Sequence, residues 1–128
     1  MSLTLNRLIE AMKVAIGAGD GVTVTEHFGF ATQFQIWDLA GVTPMLVETR
    51  YNRPACGADR NDRSARDPMD VSVDLVSDCG AVIVARIGEC ALHRLDALGI
   101  LAFETEDTVE QVLRELLESG FVEGRAAA

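Results

Sequence analysis

The sequence predicts an α/β domain, a mixed sheet with helices on its faces, and three observations lead there. Residues 81–85 (AVIVA) are apolar throughout, as in a central strand covered on both sides. Val109, Val112, Leu113, Leu116 and Leu117 fall at i, i+3, i+4, i+7 and i+8, one stripe of an amphipathic helix. Strand-like and helix-like segments alternate along the second half of the chain. That pattern calls for parallel strands joined by helices. With 128 residues, 48% of them hydrophobic, the chain suits one domain with one core.

The elements follow in order. Residues 1–11 read as an N-terminal extension, either a short helix or a loose arm. Asn6, Arg7 and Glu10 interrupt its apolar residues, so it is not a signal peptide. Residues 13–17 (KVAIG) form a short apolar run ending in glycine, a buried strand. Asp20-Gly21 marks a turn. Residues 33–39 (QFQIWDL) and 44–50 (PMLVETR), separated by a break at Ala40-Gly41, read as an antiparallel hairpin extending one side of the sheet.

Residues 50–67 (RYNRPACGADRNDRSARD) show no apolar periodicity, and so long a loop is seldom kept without a function. A helix follows, with Asp67 as N-cap and Pro68 at its first position. Met69, Val73 and Val76 mark its inner face, and Cys79-Gly80 closes it. After the 81–85 strand, residues 88–98 read as a helix with Ala91, Leu92, Leu95 and Leu98 inward, stopped by Gly99. Residues 100–103 are expected to be another buried strand. The last helix has capping-box-like spacing at Asp107 and Glu110, an i,i+4 pair in Glu110 and Arg114, and Gly120 at its C-cap.

Composition narrows the function. The formal net charge of −9 argues against a nucleic-acid binder. The charge is uneven, because Arg50, Arg53, Arg60, Arg63 and Arg66 share one stretch with Asp59, Asp62 and Asp67. That stretch sums to +2 and leaves −11 on the rest. No apolar run reaches the ~20 residues of a membrane span. Three cysteines (Cys56, Cys79, Cys90), an odd number without CxxC spacing, point to reduced thiols, and with no signal peptide read at the N-terminus the expected compartment is the cytoplasm. Asp20, Asp38 and Asp78 form no recognisable metal-binding quartet and read as turn and strand-end residues. No nucleophile elbow, P-loop or zinc-finger spacing occurs, so the chain is not expected to be an enzyme.

An ordered set of strings carries a family resemblance. It runs from Met12-Lys13-Val14-Ala15-Ile16 and Asp20-Gly21 through Glu26-His27-Phe28-Gly29, Ala31 and Phe34-Gln35-Ile36-Trp37-Asp38. It continues with Asp78-Cys79, Ala81-Val82-Ile83-Val84, Ile87-Gly88, Leu95, Leu98-Gly99-Ile100 and Val109-Glu110-Gln111-Val112-Leu113. Together these resemble the dinitrogenase iron–molybdenum cofactor-binding family, which includes NifX, the core of NafY and the C-terminal part of NifB. The resemblance implies a domain over residues 12–120, with 121–128 as a tail, and a three-layer ribonuclease H-like fold. With the hairpin and the helix-linked strands, it gives a five-stranded sheet in order 3-2-1-4-5, strand 2 antiparallel to the rest. It also implies binding of the iron–molybdenum cofactor or its iron–sulfur precursor in nitrogenase cofactor assembly for nitrogen fixation. The implied partners are that metallocluster and nitrogenase assembly proteins, not nucleic acid or membrane. The alternative is a regulatory or binding module for another small anionic ligand.

Several residues could hold a cluster. His27 matches the family's HFG histidine, and neutral imidazole is a good iron ligand. The competing role is a loop histidine bonded to backbone. Gly29 would let a bulky ligand approach the chain. Cys56 lies in the arginine-rich loop, where neighbouring guanidinium groups favour its thiolate, the usual ligand of iron–sulfur clusters; otherwise it is an incidental thiol. Arg53, Arg60 and Arg63 could pair with an anionic cluster. Cys79 matches a family cysteine and is either a third ligand or a small buried hydrophobe. Cys90 falls in the first turn of its helix, and His93 on an exposed face. The Arg86-Ile87-Gly88 turn leads into a helix N-terminus, which favours anions, although Glu89 opposes this. It could equally be an ordinary strand-to-helix turn.

Overall fold

The run beginning at Lys13 forms the central strand of the sheet, and everything else is arranged around it. In a computed structural model, which describes residues 13–41, 43–52 and 67–119, this strand is β1 (Lys13–Ile16). It is followed by a 3-10 turn (Phe28–Phe30), β2 (Gln33–Asp38), β3 (Met45–Tyr51), α1 (Pro68–Leu75), β4 (Ala81–Val84), α2 (Glu89–Ala97), β5 (Leu101–Glu104) and α3 (Val109–Glu118). The sheet order is β3-β2-β1-β4-β5. β2 runs antiparallel to both β1 and β3, while β1, β4 and β5 are mutually parallel. The expected order and strand directions are those observed. The 1–11 extension, the 53–66 part of the long loop, Gly120 and the 121–128 tail lie outside the described residues.

Alternation along the strands builds two cores. Ala15, Val82 and Val84 point to one face and pack with Phe28, Phe34, Val73, Ala91 and Leu95, beneath α1 and α2. Val14, Ile16, Ala81 and Ile83 point to the other and pack with Val24, Val109, Val112 and Leu113, beneath α3. β4 is buried on both faces, which is why its sequence is apolar without a break. Each fully buried Val, Leu, Ile or Phe contributes about 1.5–3 kcal/mol, so these faces fix the register.

Four local expectations are corrected. The first helix ends at Leu75 rather than running to Cys79. Arg50 donates to the Leu75 carbonyl at 2.8 Å, and Val76 and Ser77 turn back onto Val73 and Asp74, so the free carbonyls at the helix end are met without another turn. The cap of α3 is Thr108, not Asp107: its hydroxyl accepts from the Gln111 N–H at 3.1 Å. Asp107 instead gives its carbonyl to the Val24 N–H. In α2 only Ala91 and Leu95 are buried, whereas Leu92 and Leu98 are exposed. β5 is an edge strand with Leu101 and Phe103 exposed, and Leu117 of α3 is also partly exposed. Leu101 and Phe103 are left exposed because α3 packs chiefly on β1 and β4, and a groove remains between it and β5.

Candidate functional site

The loop after β1 is drawn tightly back against the sheet. A side chain at Gly17 would meet Glu26 Cβ and Val84 Cγ1 at 3.0 Å, and both Thr25 and Glu26 donate to the Gly17 carbonyl. Glycine is needed there for the close approach. Gly21, with φ of +78°, completes the Asp20-Gly21 turn, in which Asp20 accepts from the Val22 and Thr23 N–H groups. The chain then runs beside the end of β4. Ala85 donates to the Glu26 carbonyl at 2.8 Å, Phe28 donates to the Arg86 carbonyl at 2.9 Å, and His27 and Arg86 form a parallel bridge.

This bridge places His27 at the carboxyl end of the parallel strands. Phe28 is fully buried, against Phe34 at a centroid distance of 5.7 Å, and so pins the turn. Its neighbours His27 and Phe30 are left exposed. The two rings meet edge to face, 6.3 Å apart at 73°. Among the described residues the His27 imidazole has no hydrogen-bond partner. That sets aside the role of a loop histidine held to described backbone.

Gly29 and Gly88 flank this position, and neither is required by the fold. Neither has a positive φ. A Cβ at Gly29 would lie 4.0 Å from Met69 Cε, an ordinary contact, and one at Gly88 would meet nothing. Arg86 and Gly88 are exposed, and Gly88 is the N-cap of α2. The Ile87 N–H is already taken by Glu104 Oε2 at 3.3 Å. The turn's capacity for an anion therefore rests on the N–H groups of the first turn of α2, which α-helix geometry leaves without intrahelical partners. Cys90 and His93 are also exposed on α2.

The described residues on either side of 53–66 are both held by the fold. Asn52 donates from its backbone to the Thr32 carbonyl at 2.8 Å and from its side chain to Ala31 O and Ser72 Oγ, both at 3.0 Å. At the other end, Asp67 caps α1 by accepting from the Met69 N–H at 2.9 Å and pairs with Arg94 of α2 at 3.3 Å. Arg94 also pairs with Asp70 at 2.9 Å. The backbone bond holds Asp67 below the usual carboxylate range, with Arg94 assisting. Asn52 and Asp67, the described residues on either side of 53–66 (with Arg53, Cys56, Arg60 and Arg63), thus lie against Ala31, after the turn that carries His27, and at the start of α1, whose Met69 approaches Gly29. Positions 53–66 themselves are outside the described residues.

Arg50 belongs elsewhere. It is part of β3, and its guanidinium grips Asp78 at 2.6 and 2.9 Å. That ion pair holds Asp78 down at about 2. Lys13 adds a 3.5 Å contact to the same carboxylate. Cys79 sits next to this pair, 4% exposed, in the core beneath α1 and α2. Burial, then the Asp78 charge, pushes its thiol up to about 12. β4 separates Cys79 from the His27–Arg86 end, a span on the order of 13 Å for four residues. The structure therefore gathers His27, Gly29 and Gly88, and leaves Cys79 at the opposite end of the strand. Sequence reasoning passed over Phe30, Asn52 and Arg94. An aromatic beside HFG was the readable signal for Phe30. Asn52 and Arg94 act through partners 20 or more positions away, which no local pattern shows.

Comparison with known proteins bears on this arrangement. The family model described as dinitrogenase iron-molybdenum cofactor matches residues 10–119. A Frankia alni protein, FeMo cofactor biosynthesis protein NifB, is 27% identical over 110 residues, covering 86% of this chain and 22% of that protein. The protein of the same name from Klebsiella pneumoniae is 30% identical over 95 residues, covering 71% and 20%. The chain thus spans about a fifth of the length of these relatives. Among solved structures, the apo form of the orange protein from Desulfovibrio gigas superposes with a TM-score of 0.66 at 21% identity, covering 85% of this chain and 89% of that one. A Methanocaldococcus jannaschii protein does so at 0.54 and 21%, covering 90% and 91%. At these identities the structural matches establish the fold.

Proposed function

Because the chain belongs to the dinitrogenase iron-molybdenum cofactor family, we propose that it binds and carries an iron–sulfur-type metallocluster, the iron–molybdenum cofactor or its precursor, in nitrogenase cofactor assembly. The cluster is cargo in this reading, and the role is carriage without catalysis. The observation that supports it is an exposed His27 without a hydrogen-bond partner among the described residues, on a turn that Asn52 bonds at Ala31 and that Met69, at the start of α1, reaches at Gly29. His27 supplies an imidazole to an open iron position. Gly29 and Gly88 leave room for a bulky ligand. Cys56 supplies a thiolate, and the three arginines offset the cluster's negative charge. Cys79 is a weaker candidate for a third ligand, because its buried thiol would have to lose a proton held up to about 12. The proposed setting is the cytoplasm, with nitrogenase assembly proteins as donors and acceptors.

Anaerobic titration with isolated cluster precursor, followed by its brown absorbance in the protein fraction, tests the reading. The parent chain should retain the absorbance. His27→Ala and Cys56→Ala should each weaken retention, and the double variant should lose most of it with its circular dichroism unchanged. Equal retention by parent and double variant would remove these two residues as ligands. Absence of cluster binding together with binding of a small phosphate or carboxylate ligand would favour the other reading, supported by the exposed Arg86 and the α2 N-terminus.

A further inference from the structure

On the α3 face of the sheet, opposite α1 and α2, a groove remains between α3 and β5. Its volume is about 490 Å³, and Ile83, Phe103, Val112 and Leu116 supply its apolar wall. Leu101 and Phe103, in register with Ala81 and Ile83, point to this face and remain 45% and 41% exposed. The groove's lining is mostly apolar, so an apolar segment would fit it.

We propose that residues 1–12 of this same chain dock in the groove. Three observations point to this occupant. The first is position. β1 begins at Lys13, and Val14 pairs with Ala81, which pairs with Leu101. The chain therefore enters β1 two strands from β5, at the end of the sheet where Leu101 lies. α3 starts beside Val22 and Thr23, beyond the carboxyl end of β1, and runs back to Ser119, which lines the groove. The strand wall of the groove, Ile83 and Phe103 to Thr105, lies towards the carboxyl ends of β4 and β5, the latter two strands from β1, and its α3 wall reaches back through Ser119 towards the end where the chain enters β1.

The second observation is length. β5, the long wall of the groove, has four residues and spans on the order of 13 Å. Twelve residues reach about 18 Å even at the rise of a helix and about 40 Å when extended. The third is spacing. Leu5, Leu8, Ile9 and Met12 recur at i, i+3, i+4 and i+7, a single apolar stripe, while Asn6, Arg7 and Glu10 fall off it. This stripe is complementary to the apolar wall it would meet.

Hydrogen exchange and NMR on the full chain test the proposal. In the parent, cross-relaxation should connect the Leu8 and Ile9 methyl groups with the Phe103 ring. Leu8→Asp with Ile9→Asp should speed amide exchange in β5 and the second half of α3 on the order of 10- to 100-fold, because two buried apolar side chains are lost. Exchange in β2 and β3 should not change, nor should Asn6→Asp with Arg7→Gln alter any of it. Absence of the methyl–ring connection in the parent overturns the proposal, whether or not the variant folds. So does unchanged exchange in the double variant. Protection of β5 that rises with protein concentration would assign the groove to a second copy, and protection lost on removing residues 121–128 would assign it to the tail; either also overturns it.

Discussion

Individual side chains divide into those held by the fold and those it leaves available. Asp20 and Asp38 serve turns, as their sequence positions indicated: Asp20 accepts from two backbone N–H groups, and Asp38 accepts from the Ala40 N–H at 2.8 Å. Cys79 illustrates a residue whose type alone left two readings open. Its burial and raised pKa make it a core residue in the described state, so it should behave as one. Cys79→Ala should cost about 1 kcal/mol in urea unfolding. Alkylation of the native chain at pH 8 should modify the exposed Cys90 within minutes and reach Cys79 only after denaturant is added. An alanine variant with parental stability and weakened cluster retention would restore Cys79 as a ligand. His27 could be picked out from its HFG motif, but its juxtaposition with Arg86 could not, since the bridge joins residues 59 positions apart.

At the scale of elements, periodicity located the helices and strands well and their ends less well. The end of a helix is decided by whichever group satisfies its last carbonyls, and for α1 that group is Arg50 on a distant strand. The start of α3 was displaced by one residue because Asp107 is occupied by the loop at Val24, which hands the cap to Thr108. Thr108→Ala should therefore lower stability by about 1 kcal/mol, visible as a drop in Tm, whereas Asp107→Asn, which keeps the backbone bond, should do little. The Arg50–Asp78 pair makes a prediction about pH. Asp78 is held at about 2 against an ordinary 3.8, so the pair stabilises the native chain fully above that ordinary value. The contribution declines as pH falls below about 4 and is lost below about 2. Its partial exposure limits it to about 1 kcal/mol. Stability measured from pH 6 to pH 2 should fall less steeply in Arg50→Ala than in the parent, and parallel curves would show that the pair contributes nothing.

For the whole molecule, the hairpin, the unbroken apolar run of β4 and the linking helices, with the family resemblance, were enough to place all five strands. What could not be read was coverage. Nothing local says that α3 stops short of β5, so residues 100–103 looked like a buried strand when only Ile100 is buried and Ala102 half-buried. The charge asymmetry has the same global character, because an acidic chain with one basic segment should bind an anion through that segment. The described residues on either side of 53–66, Asn52 and Asp67, are held to Ala31 and to Arg94. Each exposed pairing is worth ~0–1 kcal/mol, so no one arginine should dominate. Three together can shift affinity by about tenfold or more, since ~1.4 kcal/mol is one decade. Changing Arg53, Arg60 and Arg63 together to Gln should weaken cluster retention by that factor at about 0.1 M salt, where charges act over ~10 Å. At about 1 M, where screening cuts the range to ~3 Å, parent and variant should converge. Equal affinity at both concentrations would reduce the segment to a spacer and leave His27 and Cys56 to hold the cluster alone.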